Sequence, residues 1–218
     1  MKKTLILLAF LYGSGVYAQS HIRLGVHLDP LATWFSPKTD RIEKDGTQPG
    51  FSWGLIAEYY FHQNYGIVSG LSMTMLGGNL LYHDAVSIST GGSGNVLVPA
   101  ESTVAFHANY LTIPVALKLK TNEIGYFTYY AQMGLTQYIN IGARATATGS
   151  GLSKDNVAKE INLLNMSYFF GGGVEYNIGG NTSITAGVFY DNGFVDVLSN
   201  NDHKAVLNFI TIRLGVLF

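Results

Sequence analysis

The sequence predicts an all-β fold, an eight-stranded antiparallel up-and-down transmembrane β-barrel with short periplasmic turns and long extracellular loops. Three observations predict it. Apolar and polar residues alternate in eight segments, the connections alternate between long and short, and only 12% of the residues are charged while 47% are hydrophobic. A soluble domain has about 25% charged residues, so part of this surface needs a cover other than water. Alternating strands with an uncharged face are typical of outer-membrane barrels.

The alternation places apolar residues on one face of each segment and polar residues on the other. The first segment has Ile22, Leu24, Val26 and Leu28 on one face and Arg23, His27 and Asp29 on the other, and the last has Ile210, Ile212, Leu214, Val216 and Phe218 against Thr211, Arg213 and Gly215. Successive side chains of a strand point to opposite faces, so each segment has one apolar face. An Arg or Lys on the lipid face at the bilayer midplane would cost about 2–4 kcal/mol. None interrupts these apolar rows, which indicates that they face lipid.

The N-terminus has the features of an export signal. Lys2 and Lys3 form a positive start, residues 4–12 are apolar, and Ala18 ends a small-x-Ala pattern typical of a cleavage site. We therefore expect a signal peptide over 1–18 and an outer-membrane barrel domain over 19–218. The chain has no cysteine, which excludes a lipoprotein anchor, a disulfide framework and a cysteine-based zinc site.

After this leader, the pattern predicts eight strands joined by connections of alternating length. The predicted strands cover 21–34, 50–62, 65–77, 104–121, 126–141, 164–178, 182–193 and 205–218. The long connections are 36–49, 77–103, 142–163 and 192–204, and the short ones are 62–64, 122–125 and 179–181. In outer-membrane barrels the short turns are periplasmic and the long loops are extracellular. We therefore expect the protein in the cell outer membrane with both termini in the periplasm, and the glycine-rich stretch 77–103 to be a flexible loop.

The face opposite the lipid collects charged residues of both signs. Six of them lie towards the periplasmic strand ends and are expected to form a lumen charge network: Arg23, Glu58, Lys118, Lys120, Glu175 and Arg213. The interior of an eight-stranded barrel is just wide enough for side chains to fill. Inward aromatic residues would occupy much of the rest, namely Tyr60, Tyr130, Tyr138, Phe169 and Phe189. We therefore expect a filled lumen that does not conduct.

The stretch Tyr110–Lys118, which reads YLTIPVALK, together with the Phe218 ending, resembles the PorT-like outer-membrane β-barrel family of Bacteroidota. Thr112 stands where that family often has Glu. The resemblance implies a small barrel, and some members of the family are associated with secretion and gliding machinery. Pro114 lacks an N–H donor and should mark a bulge or a weakened ladder. Phe218 resembles the C-terminal aromatic signal that the outer-membrane assembly machinery reads.

One set of residues contains the types that a Ser/His/acid hydrolase site requires. These residues are His83, Asp84, Ser87, Ser89, Glu101 and His107. Serine needs an imidazole base and an acid to orient it, but loops are rich in serine, so this combination of residue types is weak evidence for a site. His21 and His27 both face inward on the first strand, too far apart along it to share an ion without partners from other strands, and an inward His is usually a hydrogen-bonded filler. We therefore expect no catalytic, metal or cofactor residues and no cofactor.

Three functional interpretations remain open. The first is a structural or interaction platform, with outer-membrane lipid, the assembly machinery and a protein of the cell envelope as partners. The second is a lipid-modifying hydrolase, and the third is a soluble ligand-binding barrel of lipocalin type with its apolar face inward. Without the leader, the chain has 11 basic and 14 acidic residues, a formal charge of −3. No basic excess is present to attract nucleic acid.

Overall fold

The computed structural model describes residues 22–91, 94–200 and 202–218, and the predicted signal peptide and His21 lie outside these ranges. The described residues form twelve strands and contain no helix long and apolar enough to cross a membrane. The strands are β1 (Ile22–Pro37), β2 (Ile42–Lys44), β3 (Gln48–His62), β4 (Tyr65–Tyr82), β5 (Val86–Thr90), β6 (Gly94–Val98), β7 (Ser102–Lys120), β8 (Phe127–Ala147), β9 (Ser153–Asn156), β10 (Leu164–Gly179), β11 (Thr182–Gly193) and β12 (Ala205–Leu217).

Eight long strands form a closed antiparallel barrel, as predicted. Their order is β1-β3-β4-β7-β8-β10-β11-β12, and β12 pairs with β1 to close the sheet. The three periplasmic turns are short, and in one of them Gly179 and Gly180 have φ angles of 122° and 61°. Side chains other than that of glycine are strained in this region of φ, so the turn needs glycine. Closure leaves no long edge strand without a partner, which a lipid environment requires.

The predicted strand positions are confirmed within a few residues at most ends, and two strands extend further than expected. β4 continues to Tyr82 instead of ending near 77, and β8 continues to Ala147 instead of ending near 141. The stretch 77–103, expected to be a flexible loop, instead contains the end of β4, the β5–β6 hairpin and the start of β7. Two further short strands, β2 and β9, extend the sheet within the other long connections.

The apolar rows face outward, as the parity of the strands predicted. Leu55, Val115 and Leu214 lie on three different strands and are 60%, 56% and 49% exposed. Exposed aromatic residues cluster near the periplasmic end of the barrel, as in an interfacial girdle: Tyr59, Phe61, Tyr65, Tyr126, Phe127, Tyr129, Tyr176 and Phe218. A lipocalin-type barrel would direct its apolar rows inward. The soluble-barrel interpretation is therefore wrong.

The lower half of the interior combines charged and polar side chains with a small apolar cluster that includes Ile56, Tyr130 and Phe189, and the outer half is mainly apolar. Towards the outer end, inward residues of the long strands and residues of the connections form one apolar cluster, which includes Phe35, Leu80, Val98, Phe106 and Val157. Above the expected bilayer, apolar residues face inward and polar ones outward, as in a soluble protein. The extracellular connections thus fold into a cap over the barrel.

Pro114 interrupts the pairing between β4 and β7. The register holds at Ser69 with Val115 and again at Ser72 with Thr112, and the two intervening pairs are missing. The register is the same on both sides, so the weakened ladder that the sequence predicted is confirmed and no bulge forms there. The Ser69 hydroxyl donates a hydrogen bond to the Pro114 carbonyl at 2.9 Å, which partly compensates for the gap.

Candidate functional site

Four charged side chains meet in the lower lumen and form a compact ion cluster, which we define as Arg23, Glu58, Lys118 and Glu175. The Lys118 ammonium donates to Glu58 Oε1 at 2.6 Å and also to Glu175 Oε1. The Arg23 guanidinium donates to Glu175 Oε2 at 2.7 Å. The side chain of Lys118 is 1% exposed and that of Glu58 is 2% exposed. The cluster is therefore neutral, and its centre is buried, while the Arg23 side chain stays 16% exposed.

The cluster forms because four different strands present an inward residue at nearly the same level. Arg23 on β1 is the direct cross-strand partner of Glu58 on β3. Lys118 comes from β7 and Glu175 from β10, on the opposite wall of the barrel. The Tyr60 hydroxyl donates to Glu58 Oε2 at 2.7 Å and closes the cluster towards the periplasm. Buried charges that are paired and hydrogen-bonded in this way avoid most of the desolvation penalty.

The two remaining residues of the expected charge network lie outside this cluster. The Lys120 ammonium lies over the Tyr60 ring, 3.9 Å from its centroid, and forms no ion pair with the described residues. Arg213 lies apart, where its Nε donates to Asp29 Oδ2 at 3.2 Å. Its guanidinium also stacks over the Phe189 ring at 4.5 Å. From the sequence, Arg213 was expected at the same level of the barrel as the other five residues. The relative height of residues on different strands could be predicted only approximately.

A second polar layer lies above the ion cluster and was missed from the sequence. His27 Nε2 lies 2.8 Å from the Ser72 hydroxyl, within hydrogen-bonding distance. His27 Nδ1 lies 2.8 Å from Asp29 Oδ2, but the geometry is not that of a hydrogen bond, and Nδ1 has no hydrogen-bond partner among the described residues. Gly54 on β3 is the cross-strand neighbour of both His27 on β1 and Ser72 on β4. Because Gly54 has no side chain, the His27 ring can reach across it to Ser72. The only signal in the sequence was the inward parity of His27 and Asp29.

This layer contains serine, histidine and aspartate, the residue types of a serine hydrolase, but its geometry leaves little room for a substrate. A serine nucleophile requires a base, an acid that orients the base, and room for substrate. The cavity beside Ser72 measures about 50 Å³. A water needs at least about 10–15 Å³ of such space, whereas ligand pockets measure about 300–1,000 Å³. The cavity therefore accommodates a few waters and no acyl substrate.

The hydrolase residues proposed from the sequence do not assemble into a site. His83 lies at the surface, with Nδ1 3.2 Å from Glu101 Oε1. The Ser89 backbone N–H donates to Glu160, and His107 lies on the outer face of β7 beside Arg144. Among the described residues, no group of three histidine or acidic side chains could hold a metal ion.

Packing around the triple glycine 171–173 shows why these positions lack side chains. A Cβ on Gly173 would lie 2.6 Å from the Cα of Gly187 and 2.7 Å from the Tyr130 hydroxyl. A Cβ on Gly171 would lie 2.6 Å from the Phe189 ring. Glycine therefore makes room for two inward aromatic rings at the level between the ion cluster and the second polar layer.

The predicted assembly signal lies at the periplasmic rim. Phe218 is 56% exposed and its backbone exchanges hydrogen bonds of 3.1 and 2.8 Å with Leu24 on β1. This position is compatible both with recognition before folding and with a lipid-facing residue after folding. The role of Phe218 as a signal stays a prediction.

Several solved structures are similar to this chain at low sequence identity. Neisserial surface protein A (NspA) has a TM-score of 0.50 and 14% identity, with 91% of this chain and 96% of that chain covered. Ail, the attachment invasion locus protein of Yersinia pestis, has a TM-score of 0.42 and 14% identity, with 90% and 99% covered. OprG of Pseudomonas aeruginosa has a TM-score of 0.42 and 12% identity, with 89% and 95% covered. No curated protein sequence matches this chain.

A family model provides the assignment that these structures do not. The model for the outer membrane protein beta-barrel domain matches residues 17–199, which is most of the chain. The match agrees with the closed eight-stranded barrel and its outward apolar belt, and it places the protein in the outer membrane. The chain belongs to the outer membrane protein β-barrel domain family.

Proposed function

We propose that this outer-membrane protein is a closed barrel without a conducting channel and acts as a structural or interaction platform through its outer end. The observation that supports closure is the filling of the lumen at successive levels. The ion cluster fills the lower level, the layer around His27 and Ser72 fills the middle, and the apolar cluster around Phe106 fills the outer half. An interior of this width has no space left for a solute path.

The folded outer end supports the platform role. β4, β7 and β8 contain 18, 19 and 21 residues, whereas a bilayer requires about 9–11 residues of a tilted strand. The additional length raises the β5–β6 hairpin and the neighbouring connections above the membrane. Leu97 on β6 is 67% exposed there, although the hairpin is otherwise anchored by buried residues such as Val98. Loops held by a rigid scaffold are a common location for recognition.

Conductance across a planar bilayer tests closure of the lumen. Purified protein reconstituted into the bilayer should produce no steady channels, under conditions in which a general porin inserted in the same way does. Insertion of the test protein is verified by its resistance to alkaline extraction from vesicles. Large steady channels from the intact protein would contradict a filled lumen.

Affinity isolation after gentle solubilisation tests the platform role. Intact protein should enrich an envelope protein that is lost when residues 86–98 are replaced by a short Gly/Ser linker. The resemblance to the PorT-like family supports secretion machinery as the source of that partner, and the same isolation would recover its components. Equal recovery by the hairpin-replaced variant, or no enriched envelope protein, would contradict the proposal.

A serine hydrolase is the second candidate function, favoured by the 2.8 Å contact between His27 and Ser72. The small cavity and the filled lumen argue against it. A fluorophosphonate probe, which labels activated serines, should leave the intact protein unlabelled in membranes. Labelling that disappears in Ser72→Ala, together with a change in lipid A or phospholipid masses when the protein is produced, would support the hydrolase instead.

A further inference from the structure

An open groove lies on the outer surface of the barrel where β7, β8 and β9 meet. It has a volume of about 500 Å³. Its walls include three basic side chains from three different strands: His107 on β7, Arg144 on β8 and Lys154 on β9. All three are exposed. We call this feature the basic groove.

A β-bulge directs Arg144 into the basic groove. The register between β7 and β8 shifts at Asn109 and Tyr110, so that Ile141 is an extra residue on β8. Before the bulge, even-numbered residues of β8 such as Asn140 face the lumen, and after it Arg144 faces outward. Arg144 is then the direct cross-strand partner of His107. Without the extra residue, an arginine would enter the apolar interior, so the bulge determines which surface receives the charge.

A second irregularity places Lys154 on the same surface. The register between β8 and β9 shifts next to Thr146, and Lys154 adopts a φ of 56°. Few non-glycine residues adopt a positive φ. Such a backbone conformation persists only where contacts with the surrounding structure hold it in place. The Lys154 backbone N–H donates to the Thr146 hydroxyl at 3.2 Å, which holds the turn in place.

The positive charge of the basic groove is not neutralised within the described part of the protein. Neither Arg144 nor Lys154 is among the ion pairs formed by the described residues. Asp155 pairs with inward-facing Ala145 in the ladder, and its carboxylate accepts the Ser153 backbone N–H at 3.0 Å. The polar groups that remain in the groove are amides such as Asn109 and Asn156. Two unpaired cations and an imidazole favour an anionic ligand.

The position of the basic groove indicates where that anion comes from. The outward row of β7 is apolar up to Leu111 and continues towards the outer end with Asn109 and His107. Exposed Ile141 lies at the lower end of the groove. The cations therefore lie immediately above the apolar belt, on the side of the outer leaflet. Basic pockets beside membrane-spanning segments bind charged lipid headgroups, and the acyl chains of a lipid held here would lie against the apolar row below.

We propose that the basic groove binds the phosphorylated headgroup of an outer-leaflet glycolipid of the lipid A type. Arg144 and Lys154 contact its phosphate, His107 donates a further hydrogen bond, and the acyl chains lie along the outward row of β7. This site is independent of the platform role, because it lies on the lipid-facing wall and uses no residue of the β5–β6 hairpin.

Native mass spectrometry of the protein in detergent tests the proposal, with synthetic lipid A phosphorylated on both sugars as the probe. The intact protein should retain one lipid A, and Arg144→Glu/Lys154→Glu should weaken retention at least tenfold. Arg41→Glu/Lys159→Glu is the matched control, because it makes the same change in charge at exposed positions and should retain the lipid. Heat-modifiable migration in SDS gels verifies that each variant has folded.

Three further arms separate the possible outcomes. Lipid A without its phosphates should be retained at least tenfold less than the phosphorylated lipid, and 10 mM inorganic phosphate should not displace the phosphorylated lipid. Gly142→Trp fills the basic groove without removing charge, since a Cβ there meets nothing within 4 Å, and should also weaken retention. Equal retention by the charge-reversed variant or of the dephosphorylated lipid would overturn the proposal. Displacement by inorganic phosphate would overturn the assignment to a lipid and indicate a free anion.

Discussion

Replacing Lys118 with methionine should strongly destabilise the barrel. Methionine is similar in length to lysine but carries no charge, so Lys118→Met removes the cation from the centre of the ion cluster. Glu175 keeps its contact with Arg23 at 2.7 Å, and Glu58 keeps only the Tyr60 hydroxyl at 2.7 Å. The lower lumen is left with one negative charge in excess, at a level where the wild-type side chains are almost fully buried.

The magnitude follows from the burial of this charge. Removing one partner of a buried ion pair typically costs about 3–5 kcal/mol, because the other charge remains buried without compensation. The variant also loses the contact of the Lys118 ammonium with the Tyr130 ring, 4.5 Å away, which contributes up to about 2 kcal/mol when desolvated. These effects overlap, so we expect a total loss of about 3–5 kcal/mol in the free energy of unfolding.

A double-mutant cycle separates the unpaired charge from lost packing. Glu58→Gln combined with Lys118→Met leaves Arg23 and Glu175 as a balanced pair and should recover at least half of the loss. Urea unfolding in detergent, followed by tryptophan fluorescence and by heat-modifiable migration, measures each variant. Lys38→Met is the control, because its pair with Asp196 at 3.6 Å is partly exposed and should contribute about 0–1 kcal/mol.

Two results would refute this reasoning. A loss below about 1 kcal/mol for Lys118→Met would show that the lysine is not buried between carboxylates, since buried pairs cost more to break. A double variant as unstable as the single variant would show that lost packing dominates and the unpaired charge does not.

Three further predictions concern the lipid face, the glycine packing and the outer cap. Val115→Arg places a charge on the lipid face and should lower the free energy of unfolding in vesicles by about 2–4 kcal/mol. Leu97→Arg, on the hairpin outside the membrane, should change that free energy by less than about 0.5 kcal/mol. Equal effects of the two substitutions in urea unfolding would disprove the outward assignment of Val115. Gly173→Ala should lower the free energy of unfolding by about 1–3 kcal/mol, because the added methyl group overpacks against the adjacent strand. Gly142→Ala should lower it much less, since a Cβ there meets nothing within 4 Å. An unchanged stability of Gly173→Ala would contradict the close packing at Gly173. His203 in the cap is 7% exposed, neither ring nitrogen has a hydrogen-bond partner in the part of the chain that the structure describes, and burial lowers its pKa. The folded cap therefore favours the neutral imidazole, and the stability that this histidine contributes above about pH 6.5, its ordinary pKa, should be lost as the pH falls below that value. The loss should be measurable as faster hydrogen exchange in 194–204 at low pH, and His203→Phe should abolish this pH dependence. Exchange that does not depend on pH in the wild type would contradict the prediction.

The strands and the lipid face could be predicted from the sequence because a bilayer places a strict demand on both. A strand alternates with a period of two, and a charged residue on the wrong face is costly at the midplane. Rows such as the one through Leu55 or Val115 therefore indicate their orientation without any knowledge of neighbouring strands. The same demand predicted the weakened ladder at Pro114, since proline lacks the N–H that the pairing needs.

The sequence pattern failed where the surroundings change from lipid to water. Beyond the membrane, Leu80 and Tyr82 of β4 and Ala145 of β8 face inward, and polar residues such as Asn79 and Arg144 lie on the outward face. The sense of the alternation is thus opposite to that inside the bilayer, and in β8 the bulge at Ile141 also shifts its phase. The sequence prediction assumed that apolar residues face outward along the whole strand. It therefore ended β4 and β8 too early and assigned their outer parts to loops.

The sequence by itself determined which residues of each strand face lipid and which face the lumen, because this depends only on that strand and its surroundings. Only the tertiary structure decided which inward residues touch. Glu58, Lys118 and Glu175 meet, and Ser72 lies against His27, because of the register of strands that are distant in sequence. A shift of two residues in any of those pairings would keep the lumen and lipid faces but change which side chains meet, and each strand alone is compatible with either register.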